Sequence, residues 1–361
     1  MKIINIILTS QNGGAEQAFL DYTAALLKLG HEVIAIMKDD APYANLVEKL
    51  GVKVSKIGNN LGYHDFIAVA KIVKIIKETD ADLVVSHMSR STVLTKKAIK
   101  KIKNKKVFQI AVNHSDNVKR SLGADIICGV NKNIFFKAVD LGQAEDRCFV
   151  IPNAIDLSDI IKPNLEVNLS QKDEIIIGAI GRLDRTKGFD YLIKSLQVLE
   201  KISFEENLNK KFTLKIAGSG YFEPELRALV KELNLEDKVE FLGWISDKKE
   251  FFSKIDIFCL PSLNEPFGIV LLESMKFAKP IVSTDADGPK EILKNEVDAL
   301  IVNLKPIEKL EEIMARSFLK VIKDPILLNN LVKNASLKLQ EKYSYKALEE
   351  RLGDIVGKVC K

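Results

Sequence analysis

Short apolar runs alternate with amphipathic stretches along most of this chain, and the alternation runs twice. Residues 3–8, 32–37, 52–57, 83–86, 107–112 and 125–128 read as strands, with helical periodicity at 15–29, 41–50, 65–79 and 91–102. A second series follows, with strands at 174–180, 212–217, 238–242, 255–260 and 280–283. Its helices fall at 188–202, 223–233, 247–253, 268–277 and 289–294. Strands separated by helices pair in parallel and are covered on both faces. Two such series predict two doubly wound α/β domains. Between them, residues 156–171 turn polar, with Pro163, several Asn and Ser170, which marks a boundary. Beyond Pro306 the pattern is mostly helical.

A length of 361 residues suits about two domains, each with its own core. Hydrophobic content of 47% and charged content of 29% describe an ordinary globular protein. The apolar Lys2–Leu8 is only strand length and gives way to Thr9, Ser10, Gln11, Asn12 and two glycines. It fits neither a signal peptide nor a membrane span. Cys128, Cys148, Cys259 and Cys360 are scattered without a C-x-x-C pair and read as cytosolic thiols. A cytoplasmic protein is expected.

Doubly wound sheets bind ligands beyond the carboxyl ends of their strands, and two in tandem favour a shared site in the cleft between them. The loops after strands are therefore where chemistry belongs. Ser10–Gln17 holds the adjacent Gly13 and Gly14 before a helix, which reads equally as a tight turn or a ligand loop. It lacks the G-x-G-x-x-G spacing, which disfavours a dinucleotide. Gly178–Gly188 follows the first strand of the second series and carries Gly181, Arg182 and Lys187. Arg182 can grip phosphate oxygens bidentately and Lys187 adds a compact charge, as a diphosphate leaving group requires. The Walker A order is absent. Ala217-Gly218-Ser-Gly220-Tyr221 reads on its own as a simple turn.

The most informative loop is Pro261–Met275, after the apolar Ile257–Leu260. Glu265 falls in the strand-to-helix connection, Gly268 opens the helix, and Glu273 falls in its second turn. Carboxylates beside a helix N-terminus at a strand's carboxyl end are placed for a nucleotide-like ligand.

Net charge is +5 and uneven: residues 1–158 hold 22 Lys and Arg against 16 Asp and Glu, the remainder 32 against 33. Much of the surplus is the run Lys96, Lys97, Lys100, Lys101, Lys103, Lys105 and Lys106. A solvated helix face is the favoured reading. A docking patch for an anionic membrane surface or acidic acceptor is the alternative. Nucleic acid is disfavoured, because no aromatic residues interleave. His31, His64 and His87 show no ligand spacing. Asp285-Ala-Asp287 offers too few oxygens for a hard cation, so no metal is expected.

Together these motifs resemble the family 4 glycosyltransferases. Gly181-Arg-Leu-x-x-x-Lys-Gly188 resembles that family's donor-phosphate loop, and Glu265-x7-Glu273 within Pro-Ser-x-x-Glu-Pro-Phe-Gly its E-x7-E motif. Gly-Gly-x-Glu at 13–16, Asp82-Leu-Val-Val-Ser-His87, Asn113-His114 and Ile151-Pro-Asn-Ala-Ile-Asp156 match in order across the chain. The departures are Ala154, where the family has glycine, and Asn131, where it commonly has serine. The resemblance implies a GT-B fold: two Rossmann-like domains facing across a cleft, with a last helix crossing back to the first. Tyr343 and Tyr345, leading into Leu348 and Leu352, resemble that helix. The domains expected are 1–157 on the acceptor side, 158–338 for the nucleotide-sugar donor, and 339–361 returning to the first.

It also implies roles. Arg182 and Lys187 would hold the donor diphosphate and Glu273 the ribose hydroxyls. Glu265, with the backbone of Phe267, Gly268, Ile269 and Val270, would position the sugar and diphosphate. Trp244 and Ile245 align with backbone that meets the base. Gly13, Gly14 and Gly218 would approach the donor, and His114 would face the transferred sugar. The implied enzyme is a retaining, metal-independent hexosyltransferase without a cofactor. It would use a nucleoside-diphosphate sugar such as a UDP-sugar and a glycan or lipid-linked acceptor, in lipopolysaccharide or cell-surface polysaccharide synthesis. Peripheral contact with the inner membrane surface through Lys96–Lys106 goes with such an acceptor. A sugar-nucleotide epimerase on the same fold, or a non-catalytic sugar-nucleotide-binding protein, are the alternatives. Retention of Arg182, Lys187, Glu265 and Glu273 speaks against both.

Overall fold

The computed structural model describes residues 1–11, 13–58 and 61–359. Asn12 of the first loop and Cys360 lie outside the described residues. The chain divides into two compact units, Met1–Ala154 with Tyr343–Lys361, and Ile155–Lys342.

The first unit carries β1 (Lys2–Ile7), α1 (Gly14–Lys28), β2 (Glu32–Lys38), α2 (Ala44–Glu48), β3 (Lys53–Ile57), α3 (Phe66–Thr79) and β4 (Leu83–His87). It continues with α4 (Met88–Ile99), β5 (Phe108–Asn113), β6 (Ile126–Gly129), α5 (Lys132–Asp140) and β7 (Cys148–Val150). The strands form one parallel sheet in the order β3-β2-β1-β4-β5-β6-β7. The central strands are apolar on both faces because helices cover both. Ile3 packs into the core beneath α1, while Ile4 and Ile6 join α3 and α4 on the opposite face. Asp65 caps α3 by accepting from Ala68 N at 2.9 Å, and Asn131 caps α5 from Ile134 N at 2.8 Å. Each supplies an acceptor that the first helical turn lacks.

The second unit runs β8 (Glu174–Ile180), α6 (Phe189–Glu205), β9 (Lys211–Ala217), α7 (Glu223–Glu232), β10 (Val239–Gly243), α8 (Lys248–Ser253) and β11 (Ile257–Leu260). It ends with α9 (Ile269–Lys276), β12 (Ile281–Thr284), α10 (Asp287–Ile292), β13 (Leu300–Val302), α11 (Leu310–Lys323) and α12 (Pro325–Lys342). The parallel sheet order is β10-β9-β8-β11-β12-β13. Both sheets therefore reverse direction beside their first strand, at β1/β4 and at β8/β11, where doubly wound folds bind ligands.

The last helix, α13 (Tyr345–Val359), belongs to the first unit. Leu348, Leu352, Ile355, Val356 and Val359 recur at helical spacing and enter the same core as Ile3, Tyr22 and Leu26. Tyr345 Oη donates to Asp21 at 2.7 Å, and Lys28 pairs with Glu349 at 2.8 Å. α12 is continuous to Lys342, so the second unit ends where that helix ends. Among the described residues no helix is long and apolar enough to cross a membrane.

The lysine run differs from an open basic face. Lys96 Nζ donates to Leu122 O, Lys97 to Tyr63 O at 2.7 Å, and Lys105 pairs with Asp80 and Asp82. Lys106 lies over the Phe108 ring at 4.3 Å. Lys96 and Lys97 tie α4 to neighbouring loops, and Lys105 and Lys106 make their contacts beyond its end; Lys100, Lys101 and Lys103 are exposed.

Candidate active site

At the carboxyl ends of the second sheet, four loops are stitched together through backbone. Gly181 N donates to Ala217 O at 3.0 Å, Leu183 N to Ser219 O at 2.9 Å, and Gly218 N to Gly243 O at 2.7 Å. Leu263 N donates to Thr186 O at 2.8 Å, which joins the loop after β8 to the loop after β11. Glycine is required at these seams. A Cβ on Gly218 would collide with Gly181 O, and one on Gly188 with Pro261 O. Gly218 and Gly188 also hold positive φ, so both space and conformation exclude a side chain.

On this frame the sequence-derived residues take up defined partners. Arg182 is exposed and its Nε donates to Asp184 at 2.9 Å. Asp184 is buried; it also accepts from Thr186 N at 2.9 Å, and these bonds outweigh its burial to hold its carboxyl below the ordinary range. Asp184 thus orients Arg182 from below and fixes the turn before Lys187. Lys187 Nζ and Glu265 form a half-buried ion pair at 2.7 Å, directly linking the two motif loops. Glu265 also braces the first turn of α10, since Gly288 N donates to its carbonyl at 2.8 Å.

Gly268 caps α9 in the left-handed region at φ 91°, which aims the helix N-terminus at the loop. The amides of Ile269 and Val270 stand in the first turn, where a helix provides no acceptor. Glu273 falls in the second turn and is buried. One of its oxygens is paired with Lys248; the other is buried with no hydrogen-bond partner among the described residues. Burial pushes its carboxyl above the ordinary range, against the opposing pull of Lys248 and Lys276. Phe267 is buried, whereas Trp244 is 69% exposed just past Gly243, with Ile245 half-buried beside it.

The first unit presents a different chemistry at its reversal point. Gly13 precedes α1 and Gly14 opens it, both exposed. β4 passes into α4 without a loop, through Met88 at φ 67°. His87, the last residue of β4, is fully buried and meets His114, just past β5: Nδ1 to Nε2 is 3.0 Å. Burial lowers both rings, His87 well below the ordinary value and His114 to about 4, so both are neutral at pH 7.

Several functional partners escaped the sequence reading. Asp184 and Thr186 carry an Asx-turn signature that could have been found. Lys248 could not, because only the fold brings it to Glu273. Asp285 Oδ1 accepts from Leu304 N at 2.8 Å and Asp287 pairs with Lys290 at 2.6 Å, so the two carboxylates serve local structure.

Two family models match in tandem. "Glycosyltransferase Family 4" matches residues 12–159 and "Glycosyl transferases group 1" matches residues 161–338. Among curated relatives, the lipopolysaccharide core biosynthesis glycosyltransferase LpsD of Rhizobium meliloti is 23% identical over 98% of both chains. A Campylobacter jejuni α-1,4-N-acetyl-D-galactosaminyltransferase, named for a diNAcBac-PP-undecaprenol-linked substrate, is 26% identical over 94% of both. Among solved structures, Anabaena HepE in complex with UDP and glucose matches with a TM-score of 0.82 at 19% identity, over 99% of both chains.

Proposed function

Because the chain belongs to the family 4-like glycosyltransferases of the GT-B fold, we propose that its second unit binds a nucleoside-diphosphate sugar and that the enzyme transfers a hexose-type sugar with retention. One observation carries the donor assignment. Glu273 is a buried carboxylate at the β8/β11 reversal point with an unpartnered oxygen, and it sits in the helix whose N-terminus follows the Lys187–Glu265 pair. A buried acceptor of that kind is satisfied by a hydroxyl donor, which a ribose supplies. Arg182 and Lys187 take the diphosphate, whose charge grows as the glycosidic bond breaks; fixed cations and the α9 amides stabilise that charge without reorganising. Glu265 and the backbone from Phe267 to Val270 position the sugar. Gly13, Gly14 and Gly218 allow close approach, the Trp244–Ile245 segment meets the base, and His114 faces the transferred sugar. We assign Glu265 no covalent role. The proposal includes no metal, since Asp285 and Asp287 are engaged locally.

The relatives suggest a lipid-linked or lipopolysaccharide-type acceptor, with peripheral membrane contact narrowed to Lys100, Lys101 and Lys103. A thermal-shift screen of nucleoside diphosphates and their sugars tests the donor assignment. A ligand at a hundred times its Kd raises stability by about 2.7 kcal/mol. One base should give such a shift in the wild type, and Glu273→Ala should abolish it. No shift with any nucleotide would refute the assignment. Retention is read from the anomeric configuration of the product by NMR.

A further inference from the structure

His87 is absent from the roles assigned above, yet among the described residues it makes the one directed contact that His114's ring shows. The two ring planes are 15° apart with centroids 5.3 Å apart, while Nδ1 of His87 and Nε2 of His114 are 3.0 Å apart. Two imidazole rings joined by a bond of that length reach such a centroid separation only when both nitrogens lie on the line between centroids. The rings therefore meet edge to edge, nearly coplanar, with the N–H directed along the ring plane, which is the favourable hydrogen-bond geometry. The sheet register sets this up. His87 is opposite Val112 in the parallel β4/β5 ladder, and the two-residue alternation carries His114 to the same side.

We propose that His87 is a positioning residue that fixes the plane and the tautomer of His114, by donating from its Nδ1 to His114 Nε2 and leaving the His114 proton on Nδ1. The direction follows from the nitrogens left over. His87 Nε2 and His114 Nδ1 are both buried without a partner among the described residues. His87 is enclosed by the rings of Phe19 and Tyr22, with centroids at 5.7 and 5.0 Å, both edge-on in the T-shaped sense. An unpaired N–H is the rarer and costlier group to bury. The lower-energy arrangement puts the bare lone pair on the enclosed His87 Nε2. The N–H then falls on His114 Nδ1, itself buried, on a ring that packs against no Phe or Tyr among the described residues. Burial also holds both rings neutral near pH 7, so each carries one proton and the choice at His87 dictates the choice at His114. The functional consequence rests on the reading of His114 as facing the transferred sugar; the tautomer does not.

Long-range proton–nitrogen correlation spectra of protein labelled with 15N-histidine test it, and single variants assign the two rings among the four histidines. The wild type should show Nδ1–H and bare Nε2 on His114. His87→Asn, whose side-chain amide can occupy the Nδ1 position, should keep that tautomer. His87→Phe, which fills the same pocket without a donor, should shift His114 towards Nε2–H. In transfer assays His87→Phe should lower kcat at least tenfold with donor KM within threefold, and His87→Asn should recover most of the loss. A His114 that carries its proton on Nε2 in the wild type overturns the proposal, as does wild-type kcat in a folded His87→Phe. If the wild type transfers sugar from no donor, the proposed function falls, and the spectra still decide the tautomer. If His87→Phe does not fold, the wild-type and His87→Asn spectra decide it.

Discussion

The two sheets share a strand order and a reversal point, but the residues placed there are opposite in kind. At β8/β11 the loops bring Arg182, Lys187, Glu265 and Glu273 together with counter-charges Asp184 and Lys248. At β1/β4 the first unit offers glycines and two neutral histidines whose charged forms burial disfavours. The fold thus supplies a position, and the loops decide whether that position is ionic or neutral. An ionic end suits a diphosphate; a neutral, directed donor suits a sugar hydroxyl.

The comparison breaks most visibly at the cations. Arg182→Ala and Lys187→Ala should each lower sugar transfer by roughly 10²–10³-fold, as removal of a preorganised charge-stabilising donor does. A steady-state assay with a verified donor measures it, and unchanged rates would be fatal to the ionic reading. Next in size is the frame. Gly218→Ala places a methyl group on Gly181 O at positive φ and should cost about 2–4 kcal/mol, seen as an earlier melting transition. A variant that melts with the wild type would show that the loops yield easily.

The neutral end is sharpened by acid. His114 has a folded pKa near 4, below the ordinary value near 6.5, so below pH about 6.5 the unfolded chain binds the proton that the folded chain refuses. Its contribution is present above the unfolded pKa and lost as pH falls, by about 3 kcal/mol at most between pH 6.5 and 4. Denaturation of wild type and His114→Gln across this range should show a steeper loss in the wild type. Parallel curves would mean that His114 is not held neutral.

Glu273 carries the opposite sign. Its folded pKa is raised, so ionisation costs stability above that pKa, and the cost fades as pH falls to the unfolded value near 4.3. Glu273→Gln should therefore stabilise the protein at pH 7 and leave it unchanged near pH 4, while weakening the nucleotide-induced shift. Calorimetry at both pH values separates these effects; a destabilised variant at pH 7 would mean the Lys248 pair outweighs burial. The smallest effect belongs to Lys100, Lys101 and Lys103. Their replacement by Glu should leave melting within about 0.5 kcal/mol yet reduce binding to anionic vesicles at low salt.

Much of this arrangement was readable before the fold. Core strands of a parallel sheet are continuous apolar runs, so Glu174–Ile180 and its neighbours stood out within a residue or two. β7 and β13 did not, because three residues carry no periodicity. α5 was missed, and its Asn131 cap was noticed only as a departure from serine. The motif loops were legible because glycine and charge are concentrated in short segments. Their counter-ions were not, since Lys248 and Glu273 stand 25 positions apart in sequence. The His87–His114 pair was hidden for the same reason. It becomes visible only once β4 and β5 are known to be neighbours in register. Composition counts the charges of the lysine run without showing that Lys96, Lys97 and Lys105 are bonded to the fold.

The central claim is that the ionic end of the second unit holds the nucleoside diphosphate. Isothermal titration calorimetry of the nucleoside diphosphate selected by the thermal screen, with the wild type and the Arg182→Ala/Lys187→Ala double variant, tests it most directly. The account predicts saturable one-to-one binding to the wild type and at least a tenfold weaker Kd in a double variant that melts normally. Equal affinity in the two proteins would contradict it.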